Sequence, residues 1–351
     1  MIWLTWRQFR TQAVVAAAAL AVLAVVLLIT GLHVAHAYDA SQVPGCGAHH
    51  DCANAAQNYV QSLKNNPLIF LTYYIGLVLV YLVPAIVGAF WGAPLVAREL
   101  ETGTLAMVWN QSVSRSRWLA TKLVVLGLSG MAAAGLLSWI MSWWIGPIAR
   151  AGDYNRNGAG SGVNRFLPIL FGAGGIAPIG YAAFAFALGV TAGVLMHRTL
   201  PALAVTLAVF AVVQVVMPNV IRQHLIPPVQ ATSSFNVSNL TELLIAGGPG
   251  QSGAPMTVQA AAEVPGAWLL SNVTITPSGK VFDGPAPQLC MTGTLQACNA
   301  WVGRQHLRQR IIYQPASRYW DFQWIETGIF LILGFALAGF SLWWVSRRRL
   351  A

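Results

Sequence analysis

Val96-Ala-Arg-Glu-Leu-Glu-Thr-Gly-Thr-Leu-Ala-Met-Val-Trp-Asn-Gln-Ser-Val-Ser-Arg-Ser-Arg-Trp-Leu-Ala-Thr-Lys122 is a short charged connector, and the stretches it joins, 68–92 and 123–147, contain no Lys or Arg. About 20 apolar residues in a helix cross the hydrocarbon of a bilayer, so each flanking stretch predicts a spanning helix. Further runs of the same kind lie near 13–32, 169–195, 200–217 and 323–345, which makes the fold an all-α polytopic membrane protein with six transmembrane helices. Within the connector, Gly103 breaks the extension of the second span and Thr104 can cap a new short helix. Leu105, Val108 and Trp109 share a face of that helix at i, i+3 and i+4. Ser114 can cap the helix leading into the third span, with Arg115, Arg117 and Lys122 snorkelling at the interface. Segment 96–122 thus reads as a short amphipathic helix held between two rods, where a soluble protein can push on it.

Composition agrees with the spans. Of 351 residues, 56% are hydrophobic and 9% charged, with a mean hydropathy of +0.60; a soluble core of this size would carry more charge. The net charge of +10 does not point to nucleic acid, because no basic stripe with interleaved aromatics lies on a soluble segment. With the start of the chain cytoplasmic, six crossings return the C-terminus to the cytoplasm. There Trp343 and Trp344, followed by Arg347, Arg348 and Arg349, form an aromatic anchor backed by positive charge. At the other terminus Ile2, Trp3, Trp6 and Phe9 oppose Arg7, Gln8, Arg10 and Thr11. Residues 1–12 therefore read as an amphipathic helix lying flat in the inner interface, the alternative being a plain continuation of the first helix. Ala35-His36-Ala37 has the look of a cleavage site, yet the apolar run before it, about 18 residues, is longer than a signal peptide's and reads as a retained span.

The outward segments are a loop over 33–67 and a larger insertion over 218–321, mixed α/β in pattern. Cys46 with Cys52 and Cys290 with Cys298 form two local pairs whose outside placement favours disulfides. Cys46, His49, His50 and Cys52 could instead hold a metal, but their spacing matches no standard zinc module, and no metal is assigned. Val273–Thr276, then Pro277–Lys280, then Val281–Phe282 reads as a hairpin. Residues Thr294–Arg310 read as helical, with Arg304, Arg308 and Arg310 clustered either on a solvated face or, as the alternative, in a patch for anionic lipid or cargo. No Asp, Glu, Lys or Arg falls mid-span, which disfavours ion-coupled transport, and Glu326 is expected at the outer headgroup level. Gly247–Gly253 and Ser278-Gly279-Lys280 lack the elements of a Walker A loop. No hydrolase or metalloprotease motif is present either. Gly189 and Gly193 offer a face for close helix contact, while Pro84 and Pro178 should kink their spans.

Glu99, Glu101, Gly103, Thr104, Gln111, Ser114, Arg115 and Lys122 resemble the Glu…Gly-Thr…Ser-x-Arg…Lys pattern between spans two and three of ABC-2 type permease subunits of ATP-binding cassette transporters. The interfacial N-terminal helix, the six spans and the large loop between spans five and six are similar too, as is Tyr313-Gln-Pro-Ala-Ser-Arg-Tyr-Trp-Asp-Phe-Gln-Trp-Ile-Glu326 as a lead into the last span of one bacterial branch. The insertion is longer than the loop usual in that family. The resemblance implies a plasma-membrane permease without enzymatic activity, paired with itself or a paralogous permease. Two copies of a cytosolic ABC ATPase, which hold the ATP and Mg, would seat against the 104–111 helix. This chain itself would hold no cofactor. The coupling residues would be Glu99, Glu101, Gly103, Thr104, Leu105, Val108, Trp109, Gln111 and Arg115. Trp3, Trp6, Arg7, Arg10, Lys122, Trp343, Trp344 and Arg347 to Arg349 would anchor the chain in lipid. The cargo expected is hydrophobic or amphiphilic and moves outward. A rival expectation is a polytopic sensor or scaffold with an external ligand-binding domain.

Overall fold

The computed structural model describes residues 2–45, 52–102, 114–154, 164–237, 240–245, 255–260, 262 and 264–347. Among them six helices are long and apolar enough to cross a membrane: Val14–Ala40, Pro67–Glu101, Ser116–Gly152, Ala177–Met196, Thr199–His224 and Ala316–Arg347. Contacts of Gly193 with Ala93 and of Thr191 with Ser341 align the second, fourth and sixth rods in one direction. One end of the bundle therefore carries the connector and the other carries all the strands.

Helix α1 (Ile2–Ala40) is one unbroken rod. The segment 1–12, expected as a separate flat helix, continues from Ile2 straight into the first apolar run, because no Pro and no Gly before Gly31 interrupts the helix. Helix α2 (Cys52–Lys64) lies at the strand end, where Tyr59 donates to the Val34 carbonyl at 3.1 Å and meets Tyr38 edge-on.

Helix α3 (Pro67–Ile86) begins at Asn66, whose side chain accepts from the Leu68 and Ile69 N–H groups. It passes through Pro84 into a π-turn, Val87–Gly92, and then α4 (Pro94–Glu101). A π-turn widens the helix by bonding i to i+5. Here it brings backbone against backbone: a Cβ added at Gly189 would lie closer than 3.0 Å to Gly88 O and Ala93 N, and one at Gly193 would overlap Ala93 O. The glycine face expected of the fourth run is thus a real contact with the second rod.

Helix α5 (Arg115–Gly152) leads to a divided fourth rod. The run 169–195 is not one helix: α6 (Pro168–Ala173) ends at Gly174, and α7 (Ala177–Met196) starts afresh. Gly175 between them has φ +64, a conformation glycine adopts without steric cost. Pro178 does not kink this helix, since it occupies the first turn, where a missing N–H costs nothing. Helix α7 is the axis of the bundle, with 72% of its apolar window buried against at most 39% for the other rods.

Helix α8 (Thr199–Val216) continues as a π-turn, Met217–Ile221, and a 3-10 turn, Arg222–His224. The fifth rod therefore outlasts the expected 200–217 and carries Arg222 into the bundle.

Next come β1 (Val229–Ser234), β2 (Leu240–Ile245), β3 (Met256–Ala260), β4 (Trp268–Ile275), α9 (Gln288–Thr292), α10 (Leu295–Arg304) and β5 (Arg308–Gln314). The strands form an antiparallel sheet, β1-β5-β4, and an antiparallel pair, β2-β3. Met256, Val258, Phe282, Cys298, Val302 and Leu307 pack beneath them. A disulfide, Cys290–Cys298, ties α9 to α10. Cys52 is also disulfide-bonded, while Cys46, with His49 and His50, lies outside the described residues. The expected hairpin is present, Thr276 N–H bonding Lys280 O at 2.8 Å beside an Ile275–Val281 bridge. The expected helix over Thr294–Arg310 is not. It stops at Arg304, and His306, at φ 49, turns the chain into β5. Buried Gln309 and Ile311 alternate there with more open Arg308 and Arg310, the period-2 pattern of a strand. The last rod is α11 (Tyr319–Arg347).

Candidate functional site

Gly103, Thr104, Leu105, Val108, Trp109 and Gln111 lie outside the described residues, as does the side chain of Arg115; the connector's two roots are described. Lys122 on α5 donates to Glu99 on α4 at 2.6 Å and sits 4.3 Å over the Trp118 ring. It does not snorkel. Only 7% of it is exposed, because a carboxylate and an indole face receive its ammonium inside the bundle. Glu101 accepts from the Thr199 N–H at 2.9 Å and from its hydroxyl at 2.7 Å. A carboxylate at this position satisfies an N–H that the first turn of α8 would leave orphaned. Together the two contacts tie α4, α5 and α8 where the connector leaves and returns.

The expected anchors are less fully described. Arg10 is exposed, and the side chains of Trp3, Trp6 and Arg7 lie outside the described residues. Arg347 packs 5.6 Å over the half-exposed Trp343 ring, and Trp344 packs against the cluster holding Trp118, Leu119 and Val345. Arg348 and Arg349 lie outside the described residues.

The opposite end holds a site that the sequence reading missed. Glu326 is not at a headgroup level open to water: it is 0% exposed and takes both Nε and Nη2 of Arg222, at 2.8 and 3.0 Å. Tyr181 of α7 donates to the same carboxylate, and the Arg222 guanidinium lies 3.9 Å over the Phe171 ring of α6. One turn before Glu326, Gln323 accepts from Ile176 and Ala177 N–H at 3.1 and 2.9 Å and donates to Phe171 O at 3.0 Å. It thereby caps the start of α7. From α5, Ser138 donates to Gly175 O at 2.8 Å and Ser142 accepts from Gly175 N–H at 2.9 Å. The elbow between α6 and α7 is therefore fixed from two sides.

The strands join the same structure. Phe166 stacks on Phe171 and on Trp268 of β4, and meets Tyr319 and Phe322 edge-on; Asn164 donates to Ala267 O at 2.7 Å. Nearby, burial raises the Asp153 carboxyl above its ordinary range, against the opposing pull of Arg165. A signal for the ion pair does exist in the sequence: one basic residue just beyond the fifth apolar run and one acidic residue at the start of the sixth. Among the described residues no three His, Cys, Asp or Glu side chains converge on a metal-sized site.

Six long apolar rods, one of them a buried central helix, with polar bonds gathered at the two ends, define a multi-pass membrane protein. The family model described as ABC-2 membrane transporter related matches residues 17–222, more than half of the chain, and the chain belongs to that family. The match runs from α1 to Arg222; the strands and α11 lie beyond it. No curated protein and no solved structure matches the chain.

Proposed function

We propose that the chain is the membrane-spanning permease subunit of an ATP-driven ABC exporter, coupled through the helix expected over 104–111 to a separate cytosolic ATPase. The observation that supports this beyond family membership is the bracing of the connector. Because Glu99–Lys122 and Glu101–Thr199 join α4, α5 and α8, a force on the intervening segment is delivered to three rods at once. In this reading the connector end faces the cytoplasm of a plasma-membrane protein, with both termini and Arg347 on that side, and the strands face outward with the Cys290–Cys298 disulfide. Two permeases, identical or paralogous, enclose the pathway. Two ATPase copies supply ATP and Mg. The apolar walls of the rods suit a hydrophobic or amphiphilic cargo.

Gly103→Pro and Trp109→Ala, produced together with the ATPase, should leave membrane insertion intact while ATP hydrolysis no longer drives export. Unchanged export by both variants contradicts the reading. A second reading, a polytopic sensor or scaffold, is favoured by the strands' position beyond the family-matched segment. It requires that no Walker-motif ATPase co-purify with the chain.

A further inference from the structure

At the strand end a cavity of about 490 Å³ opens between α1, α5, the α6–α7 elbow and the start of α11. Its volume lies in the range typical of ligand sites, about 300–1,000 Å³. Two guanidiniums, Arg150 and Arg165, line it, and no carboxylate does among the described residues.

Arg150 lies 4.9 Å over the Tyr38 ring and has no acidic partner among the described residues. Arg165 reaches Asp153 at 3.3 Å through one nitrogen, yet its buried Nε has no hydrogen-bond partner. Among the described residues, the cavity therefore holds more positive charge than neighbouring carboxylates neutralise. Position in a helix accounts for part of this, since Arg150 is in the last turn of α5, where a cation is favoured. Arg165 is on no helix, and its place on the cavity wall is not explained that way.

The remaining wall is aromatic. Trp143 and Trp320 are both half-exposed and both line the cavity. Arg150 is near the end of one rod and Trp320 near the start of another, the level at which spans meet lipid headgroups and indoles gather. A guanidinium pair binds a planar or tetrahedral anion through several charge-assisted bonds, while an indole offers apolar area beside it.

We propose that this cavity binds an anionic amphiphile, its phosphate or carboxylate head on Arg150 and Arg165 and its apolar part along Trp143 and Trp320. As a statement about cargo it rests on the export reading; as a binding site it does not.

The test uses the full-length protein, purified and delipidated, with three probes read by native mass spectrometry. These are phosphatidylglycerol, phosphatidylcholine with the same acyl chains, and inorganic phosphate. Phosphatidylglycerol should be retained about tenfold better than phosphatidylcholine, the ratio that one charge-assisted hydrogen bond supplies. Inorganic phosphate should not displace it at matched concentration. Arg150→Gln, which breaks no ion pair among the described residues, should abolish the preference at an unchanged unfolding temperature, and Arg165→Gln should weaken it. Equal retention of the two lipids, an undiminished preference in Arg150→Gln, or displacement by phosphate alone overturns the proposal. Export by Arg150→Gln then separates the sources: unchanged export marks a resident lipid, and lost export marks the cargo, the site standing in both cases. A lipid preference without any export by the unaltered chain sinks the export reading and leaves the site.

Discussion

At the connector end Glu99 and Lys122 pair with side chains 20% and 8% exposed, and Glu101 meets Thr199 at an open surface; at the strand end Arg222 and Glu326 pair at 1% and 0%. The exposed contact can trade its partner for water at little net cost. The buried pair has nothing to trade with, so losing one member strands a charge in an apolar interior, a loss of about 3–5 kcal/mol. The contrast extends to the neighbours. Tyr181, Phe171 and the Gln323-capped elbow crowd the buried pair, whereas the contacts at the connector join three rods through two carboxylates, Glu99 and Glu101. One end therefore keeps an exposed contact, Glu101–Thr199, that can be remade as rods shift, and the other is packed together with the strands.

The largest effect expected from this contrast is at Glu326. Glu326→Ala should lower unfolding stability by about 3–5 kcal/mol, measured by thermal or denaturant unfolding in detergent. Replacing both members, Arg222→Met with Glu326→Leu, should recover most of it. A Glu326→Ala variant as stable as the parent breaks the contrast. Next in size is Gly189→Val, which drives a side chain into the backbone of the π-turn and should cost about 1–3 kcal/mol by overpacking; an unshifted melting curve would mean that α7 and the second rod are not in close contact. The smallest stability effect belongs to Glu101→Ala. Its contact with Thr199 is exposed, so the unfolding temperature should barely move while the amount of cargo exported per ATP falls. A large loss of stability with export efficiency preserved would reverse the roles assigned to the two ends.

Much of this architecture is legible in the chain, because length and the absence of charge define a spanning rod without reference to its neighbours. Hence Pro67–Glu101 and Ser116–Gly152 contain the runs expected at 68–92 and 123–147. What depends on partners was not legible. The break in the fourth run requires Gly174, Gly175 and Pro178 to act together, and the groups that stabilise it, Ser138, Ser142 and Gln323, come from two other rods. Arg222 and Glu326 stand 104 residues apart, and each taken alone reads as an ordinary interfacial charge. Lys122 likewise reads as a snorkelling residue until Glu99 is placed beside it. Arg308 and Arg310 read as helical from sequence because a stretch of seven residues fits either period, and it is the pairing with β1 and β4 that makes it a strand.

The account depends most on which side of the membrane the connector faces. A Trp109→Cys variant treated with a membrane-impermeant thiol reagent tests this directly. The account predicts labelling at that position in inverted membrane vesicles and none in intact cells; labelling in intact cells would contradict it.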